Sequence, residues 1–166
     1  MRYFLQCTKP WRDLEKYRRD RLREALYEAE LAEEFLKNGL LRDAAGKAFQ
    51  AVKAYLAAAA AQKREALAPH YPVEKAVQKR RVAVVALIVA YMPTTRMKEV
   101  AARLGDNELE LVVEKALDLR RFQYNGLDKE GVFSRYVATE IVEKDVRDVV
   151  EFIKRRAALE MGRGNE

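Results

Sequence analysis

The sequence predicts an all-α fold, an antiparallel helical bundle of about five to six helices. Three observations carry this: apolar residues recur at three- and four-residue spacing through most of the chain, an alanine-dense run extends from Asp43 to Lys63, and the breakers fall between the periodic stretches. A chain of 166 residues buries roughly 70% of the surface it exposes when unfolded. A single domain over residues 1–161 is therefore expected, with a frayed tail over 162–166.

A first helix is expected from about Trp11 to Asn38, with Pro10 as first helical residue, Thr8 as cap and Gly39 as stop. Leu14, Tyr17, Leu22, Ala25, Leu26, Ala29, Ala32, Phe35 and Leu36 form its apolar stripe. Its polar side is sorted: Arg12, Lys16, Arg18, Arg19, Arg21 and Arg23 precede Glu24, Glu28, Glu30, Glu33 and Glu34. That order opposes the helix macrodipole. Either intrahelical pairs such as Glu15 with Arg19 and Glu33 with Lys37 compensate, or an antiparallel copy of the helix does, as in a two-fold homodimer.

Gly39 and Leu40 are a short connection, so the second helix should fold back on the first. Phe49, Val52, Tyr55, Leu56 and Ala59 give it a bulky stripe, and alanines line its other sides. Small residues all round let neighbouring backbones approach, as a central helix requires. Gly46 sits inside this helix, where it costs about 1 kcal/mol relative to alanine. A group approaching closely, from a packed helix or a ligand, would account for it.

Residues 65–72, EALAPHYP, break the pattern and carry His70, the only histidine. A third helix is expected over about Val73 to Tyr91, although its Val- and Ile-rich half also reads as a strand. The helix is preferred because no second strand is evident to pair with it. A short helix from about Arg96 stops at Gly105, and Asp106, Asn107 and Glu108 start the next. That helix ends in LRRFQYNG, where Asn125 and Gly126 signal a turn. A last helix runs from Thr139 to about Met161.

Cys7 is the only cysteine, so no disulfide can form within the chain, and a reducing, cytoplasmic setting is the expectation. The longest apolar run, Val82 to Tyr91, is far short of the roughly 20 residues that span a bilayer, so no membrane association is expected. High charge with few Asn, Gln and Cys suits a hot environment. The net charge of +6 is uneven: residues 63–103 hold nine Lys or Arg against three Asp or Glu. Such a patch attracts phosphates or an acidic partner, or is simply a solvated face.

Recognisable catalytic chemistry is sparse. One His and one Cys far apart make no metal site, no phosphate-cradling glycine motif occurs, and Ser134 has no nucleophile-elbow context. No metal or cofactor is expected.

The stretches AAGKAFQAVKAYLAA, MPTTRMKEVAARLG and LRRFQYNG, with Ser134 and Tyr136 after them, resemble the PaREP family. These small archaeal helical proteins are placed within or near the HEPN superfamily, and the resemblance covers about Asp43 to Arg147. It implies a HEPN-like bundle that dimerises, with a nucleotide, a nucleic acid or a nucleotidyltransferase-type protein as candidate partners. HEPN ribonucleases carry an Arg followed, after four to six residues, by a His that exchanges the proton of a ribose 2′-hydroxyl. Here Arg120 is followed at that spacing by Asn125, and an amide is no general base near pH 7.

The resemblance and the helical spacing suggest one polar cleft lined by Lys47, Gln50, Arg120, Arg121, Tyr124 and Asn125. The expected role is a non-catalytic binding or regulatory module. The alternatives are a divergent ribonuclease or nucleotidyltransferase accessory protein drawing on Arg120, Tyr124 and His70, and a structural protein without a small ligand.

Overall fold

In the computed structural model, residues 8–77 and 79–163 are described; Cys7 and residues 164–166 of the expected tail lie outside them. Helix α1, Leu14–Lys37, begins later than the proline pattern predicts. Residues 9–13 form a turn instead, and the Asp13 carboxylate, rather than Thr8, accepts the Lys16 amide at 2.9 Å. An acid at this position satisfies an orphan amide and complements the helix dipole together. At the other end Gly39 takes φ of +72°, and the Gly39 and Leu40 amides bond back to Leu36 and Phe35. This Schellman closure reverses the chain directly into α2, Leu41–Gln62.

Helix α2 is central. It packs against α1, against α6 (Asn107–Asn125) and against α7 (Thr139–Arg163), and it touches α4 (Val84–Tyr91) and α5 (Thr94–Leu104). Between Ala44 and Ala58 every residue is buried except Lys47, Gln50 and Lys53. The alanines allow this, since each lets a neighbouring helix approach without losing side-chain entropy.

The apolar stretch after His70 is not one helix. A four-residue helix α3, Arg64–Leu67, and a 3₁₀ turn through His70 lead to a β-hairpin, β1 (Glu74–Val77) and β2 (Arg80–Ala83). The strand partner expected to be missing lies two residues away in the same stretch, pairing Glu74 with Ala83 and Val77 with Arg80. Lys79 makes the turn at φ of +64°, a conformation that Gly or Asn usually supplies, so the usual hairpin signal is absent. Only Val84 to Tyr91 of the expected helix is helical. Its terminal carbonyls, at Val89 and Ala90, accept from the Tyr17 hydroxyl, and that of Ala90 also accepts from Arg21.

Helix α5 begins at Thr94, two residues before the expected Arg96, and stops at Gly105 as expected; α6 begins after Asp106. Gly105 adopts φ of +69° after α5, and the Asp106 carboxylate accepts the Leu109 amide at 3.1 Å. Helix α7 runs through Gly162 and Arg163, two residues of the expected tail.

The sorted charges of α1 are answered within the chain. Glu15 pairs with Arg18 rather than Arg19, and Glu33 with Lys154 of α7 at 2.6 Å rather than Lys37. Lys47 of α2 lies 2.9 Å from Glu28, and Arg18 is 3.6 Å from Glu160 of α7. Cations from neighbouring helices thus answer two acids of the acidic half, Glu28 and Glu33, and Arg21 of the same helix answers Glu24.

Gly46 faces the Gln123 side chain of α6. A Cβ there would sit 2.5 Å from Nε2 and 2.6 Å from Cδ of Gln123, the far end of a flexible side chain. Gly46→Ala should therefore be near neutral, because the roughly 1 kcal/mol of helix propensity gained offsets moving one amide. Gly46→Leu should cost about 2 kcal/mol in urea denaturation, since it overpacks the contact. Equal stability of the two variants would show that α6 is not held against this position.

Candidate functional site

The unburied stripe of α2 carries its interior polar side chains Lys47, Gln50 and Lys53, and the elements around it decide what each can do. Lys47 belongs to α1: its ammonium forms an ion pair with the buried Glu28, at an angle unsuited to an aligned hydrogen bond. A buried carboxylate left alone is costly, so the pair has a structural task.

Gln50 and Lys53 face a recess of about 160 Å³ between α1, α2 and the end of α4. Arg21 and Glu24 line it from α1, Ala54 and Ala57 form its floor on α2, and Ala90, Tyr91 and Met92 close it. Met92 makes the turn out of α4 in the left-handed region, at φ of +36°. Arg21 is already engaged, with Glu24, the Tyr17 hydroxyl and the Ala90 carbonyl.

Arg120 joins from α6. Its guanidinium lies 4.6 Å from the ring centre of Phe49 and 5.3 Å from that of Tyr124, a cation–π arrangement on two rings. Among the described residues, no carboxylate lies within ion-pair distance of Lys53 or Arg120, and no acceptor bonds Arg120 or the Gln50 amide. Burial holds the Lys53 ammonium below the usual lysine range, and repulsion from Arg120 and Arg21 pushes the same way, with Glu24 opposing weakly.

Sequence reasoning therefore placed Gln50, Arg120 and Tyr124 in one neighbourhood but chose Lys47 where the structure brings Lys53. Positions 47 and 53 are both three residues from Gln50, and helical spacing cannot tell them apart. Arg121 is on the other side of α6, near Asp118, whose carboxyl burial raises and Arg135 and Arg121 lower. Asn125 is a helix stop: its amide donates to the Arg121 carbonyl at 2.9 Å and the Phe133 carbonyl at 3.3 Å. The Gly126 amide bonds the Phe122 carbonyl, and Arg42 donates to those of Gln123 and Tyr124, so three of the last carbonyls of α6 have partners.

His70 sits elsewhere. Its Nδ1 is 2.8 Å from Arg103 of α5, near the end of α2 where Lys63 bonds the Leu104 carbonyl. Phe49 and Lys63 are separated by roughly 20 Å of helix axis, so His70 is far from Arg120. A larger groove of about 400 Å³ lies between α1 and α7, but its charges, Glu33 with Lys154 and Glu151 with Arg155, neutralise one another. Among the described residues no group of His, Cys, Asp and Glu is arranged to hold a metal, and no helix is long and apolar enough to cross a membrane.

Against known proteins, no curated protein and no solved structure matches the chain. One family model does, that of the archaeal PaREP1/PaREP8 family, over residues 20–147, well beyond half the chain.

Lys53 sets a measurable electrostatic cost. Its lowered proton affinity means that the folded chain binds fewer protons than the unfolded chain at pH values between the folded pKa and the ordinary lysine value. Stability contributed by this residue rises across that window, and below it the unfavourable charge is fully present. Lys53→Met should raise the urea midpoint at neutral pH, and the gain should shrink toward about pH 10. A lower midpoint at neutral pH would mean that the ammonium has a partner that stabilises it.

Proposed function

We propose that this chain, which belongs to the archaeal PaREP1/PaREP8 family, is a HEPN-like, non-catalytic binding or regulatory module for a phosphate-bearing ligand such as a nucleotide. The observation that carries the reading is that Gln50 and Lys53 line one recess, with Arg120 near enough to repel Lys53, and that none of the three has a protein acceptor among the described residues. A guanidinium stacked on two rings has lost rotational freedom already and keeps its fork of donors open, which suits a phosphate. Lys53 adds a point charge and Gln50 an uncharged donor. The volume of about 160 Å³ is smaller than a typical whole-ligand pocket, so the phosphate end enters and the rest of the ligand lies outside. Tyr91 and Tyr124, 52% and 62% exposed, are flat surfaces at the mouth and beside Arg120 for it to stack on.

The same geometry favours binding over turnover. The carboxylate in the recess, Glu24, is tied to Arg21, and His70 is occupied with Arg103. A proton acceptor positioned for a ribose hydroxyl is therefore wanting beside Arg120 among the described residues.

Titration with inorganic phosphate and with a nucleoside monophosphate tests this reading. Lys53→Ala and Arg120→Ala should each weaken binding by about 10- to 100-fold, the range for a charge-assisted hydrogen bond. Lys47→Ala should leave it unchanged, and RNA incubated with the protein should stay intact. Absence of binding at millimolar ligand, or equal binding by all variants, would remove the proposal.

A second reading, a homodimer, is favoured by one surface. Leu127, Val132, Phe133, Val137 and Ile141 are 45–69% exposed on the connection from α6 to α7 and the start of α7. The connection is nevertheless well ordered by its own bonds, because Asp128 accepts the amides of Glu130, Phe133 and Ser134. Tyr124, 62% exposed at the end of α6, adds a further apolar side chain near this stretch. The exposed rim holds both signs, Arg121, Lys129 and Arg135 with Glu130 and Glu140, which a self-complementary contact requires. Sedimentation at micromolar concentration should find a dimer that Phe133→Asp converts to monomer, and a monomeric parent would discard this second reading.

A further inference from the structure

Among the described residues, the β-hairpin gathers exposed cations with few acids to answer them. Helices α1, α5 and α7 match most of their cations with carboxylates, as Arg96 and Arg103 do with Glu99 and Lys144 does with Asp148. On the hairpin only Arg81 is matched, by Glu74 at 3.1 Å. Lys75, Lys79 and Arg80 are exposed, and among the described residues none has a carboxylate within ion-pair distance.

The register sorts these charges. Glu74, Ala76, Arg81 and Ala83 share one face, where the ion pair sits; Lys75, Val77, Arg80 and Val82 share the other, with Lys79 at the turn. The base of the hairpin is held by the Val84 amide on the Val73 carbonyl at 2.8 Å and by burial of Val82. The unmatched cations are therefore carried on a ribbon fixed at its root.

We propose that this hairpin binds the sugar-phosphate backbone of double-helical nucleic acid through Lys75, Lys79 and Arg80. Three cations on one narrow ribbon meet a regular array of phosphates, and the gain comes from counterion release. A two-stranded ribbon fits the major groove of B-form DNA, about 12 Å wide, whereas on RNA the same cations reach phosphates from outside the narrow groove. The ribbon tip carries no aromatic or large aliphatic side chain among the described residues, which argues against insertion into a lipid surface. This site is separate from the recess at Lys53 and does not depend on that reading.

Fluorescence anisotropy of labelled DNA and RNA duplexes, at a series of salt concentrations upward from about 50 mM, tests the proposal. The parent should bind with log affinity falling against log salt at a slope of about −3 on DNA, one unit per phosphate contact. Neutralising Lys75, Lys79 and Arg80 to Ala should weaken binding about tenfold or more and flatten the slope. A control triple, Lys37→Ala, Lys129→Ala and Lys144→Ala, makes the same net-charge change and should bind like the parent. Lys79→Gly suits the left-handed turn, so it removes one charge while keeping the hairpin, and it should lower the slope by about one unit. The arm that binds more tightly identifies DNA or RNA as the source of the phosphates. No binding of either duplex at about 50 mM salt, equal losses in the two triples, or binding to phosphatidylglycerol vesicles in place of both duplexes would overturn the proposal.

Discussion

The enclosure of α2 is the constraint on which the other elements depend. Its alanines bury little area each, so the helix gains stability by admitting backbones closely on several sides at once rather than by bulky interlocking. Phe49, Val52, Tyr55 and Leu56 then fill the gaps that alanines leave. Tyr55 is only 1% exposed and needs an acceptor, which Glu160 of α7 provides; burial, reinforced by that bond, raises its phenol's pKa. The end of α7 is in turn held by Arg156 on Asp106 and Glu108 at the start of α6. A chain of polar contacts thus closes around the central helix at the end opposite Gly46.

Such an enclosure leaves few places for polar side chains, and each one left on α2 has a different fate. Lys47 neutralises Glu28, whereas Lys53 is held near two other cations without an acid of its own. The contrast explains why one lysine reads as structural and the other as a site. A charge kept half buried against repulsion costs stability, and an anion entering the recess relieves that cost, which is the physical basis for proposing a phosphate there. The unmatched cations of the hairpin differ: they are exposed, cost the fold little, and act over distance through screened attraction.

The connection between α6 and α7 shows how a loop without regular structure is still specified. Asp128 collects three backbone amides, and these bonds to its charged form lower its pKa. Tyr136 buries its ring edge-on against Phe122 at 5.7 Å and bonds Asp145 at 2.7 Å. Lys115 bridges Asp145 and Asp148, so α6, the loop and α7 share one network. Asp128, Ser134 and Tyr136 turn their polar groups into these bonds, while Leu127, Val132, Phe133 and Val137 face out.

What the sequence determined by itself is local and periodic. The all-α class, the tight reversal at Gly39, the stops at Gly105 and Gly126, the Asp106 cap and the central place of the alanine helix all follow from spacing and from residues whose backbone or side chain has one cheap arrangement. Gly46 as a point of close approach was legible for the same reason, since an interior glycine is otherwise a net loss. Only the tertiary structure decided which of Lys47 and Lys53 stays unmatched, because that depends on whether Glu28 of another helix arrives. It also decided that Asn125 caps its own helix and that Val73 to Ala83 makes a hairpin. A strand is stable only with a partner, and here the pairing forms through a Lys79 turn that carries none of the usual residues.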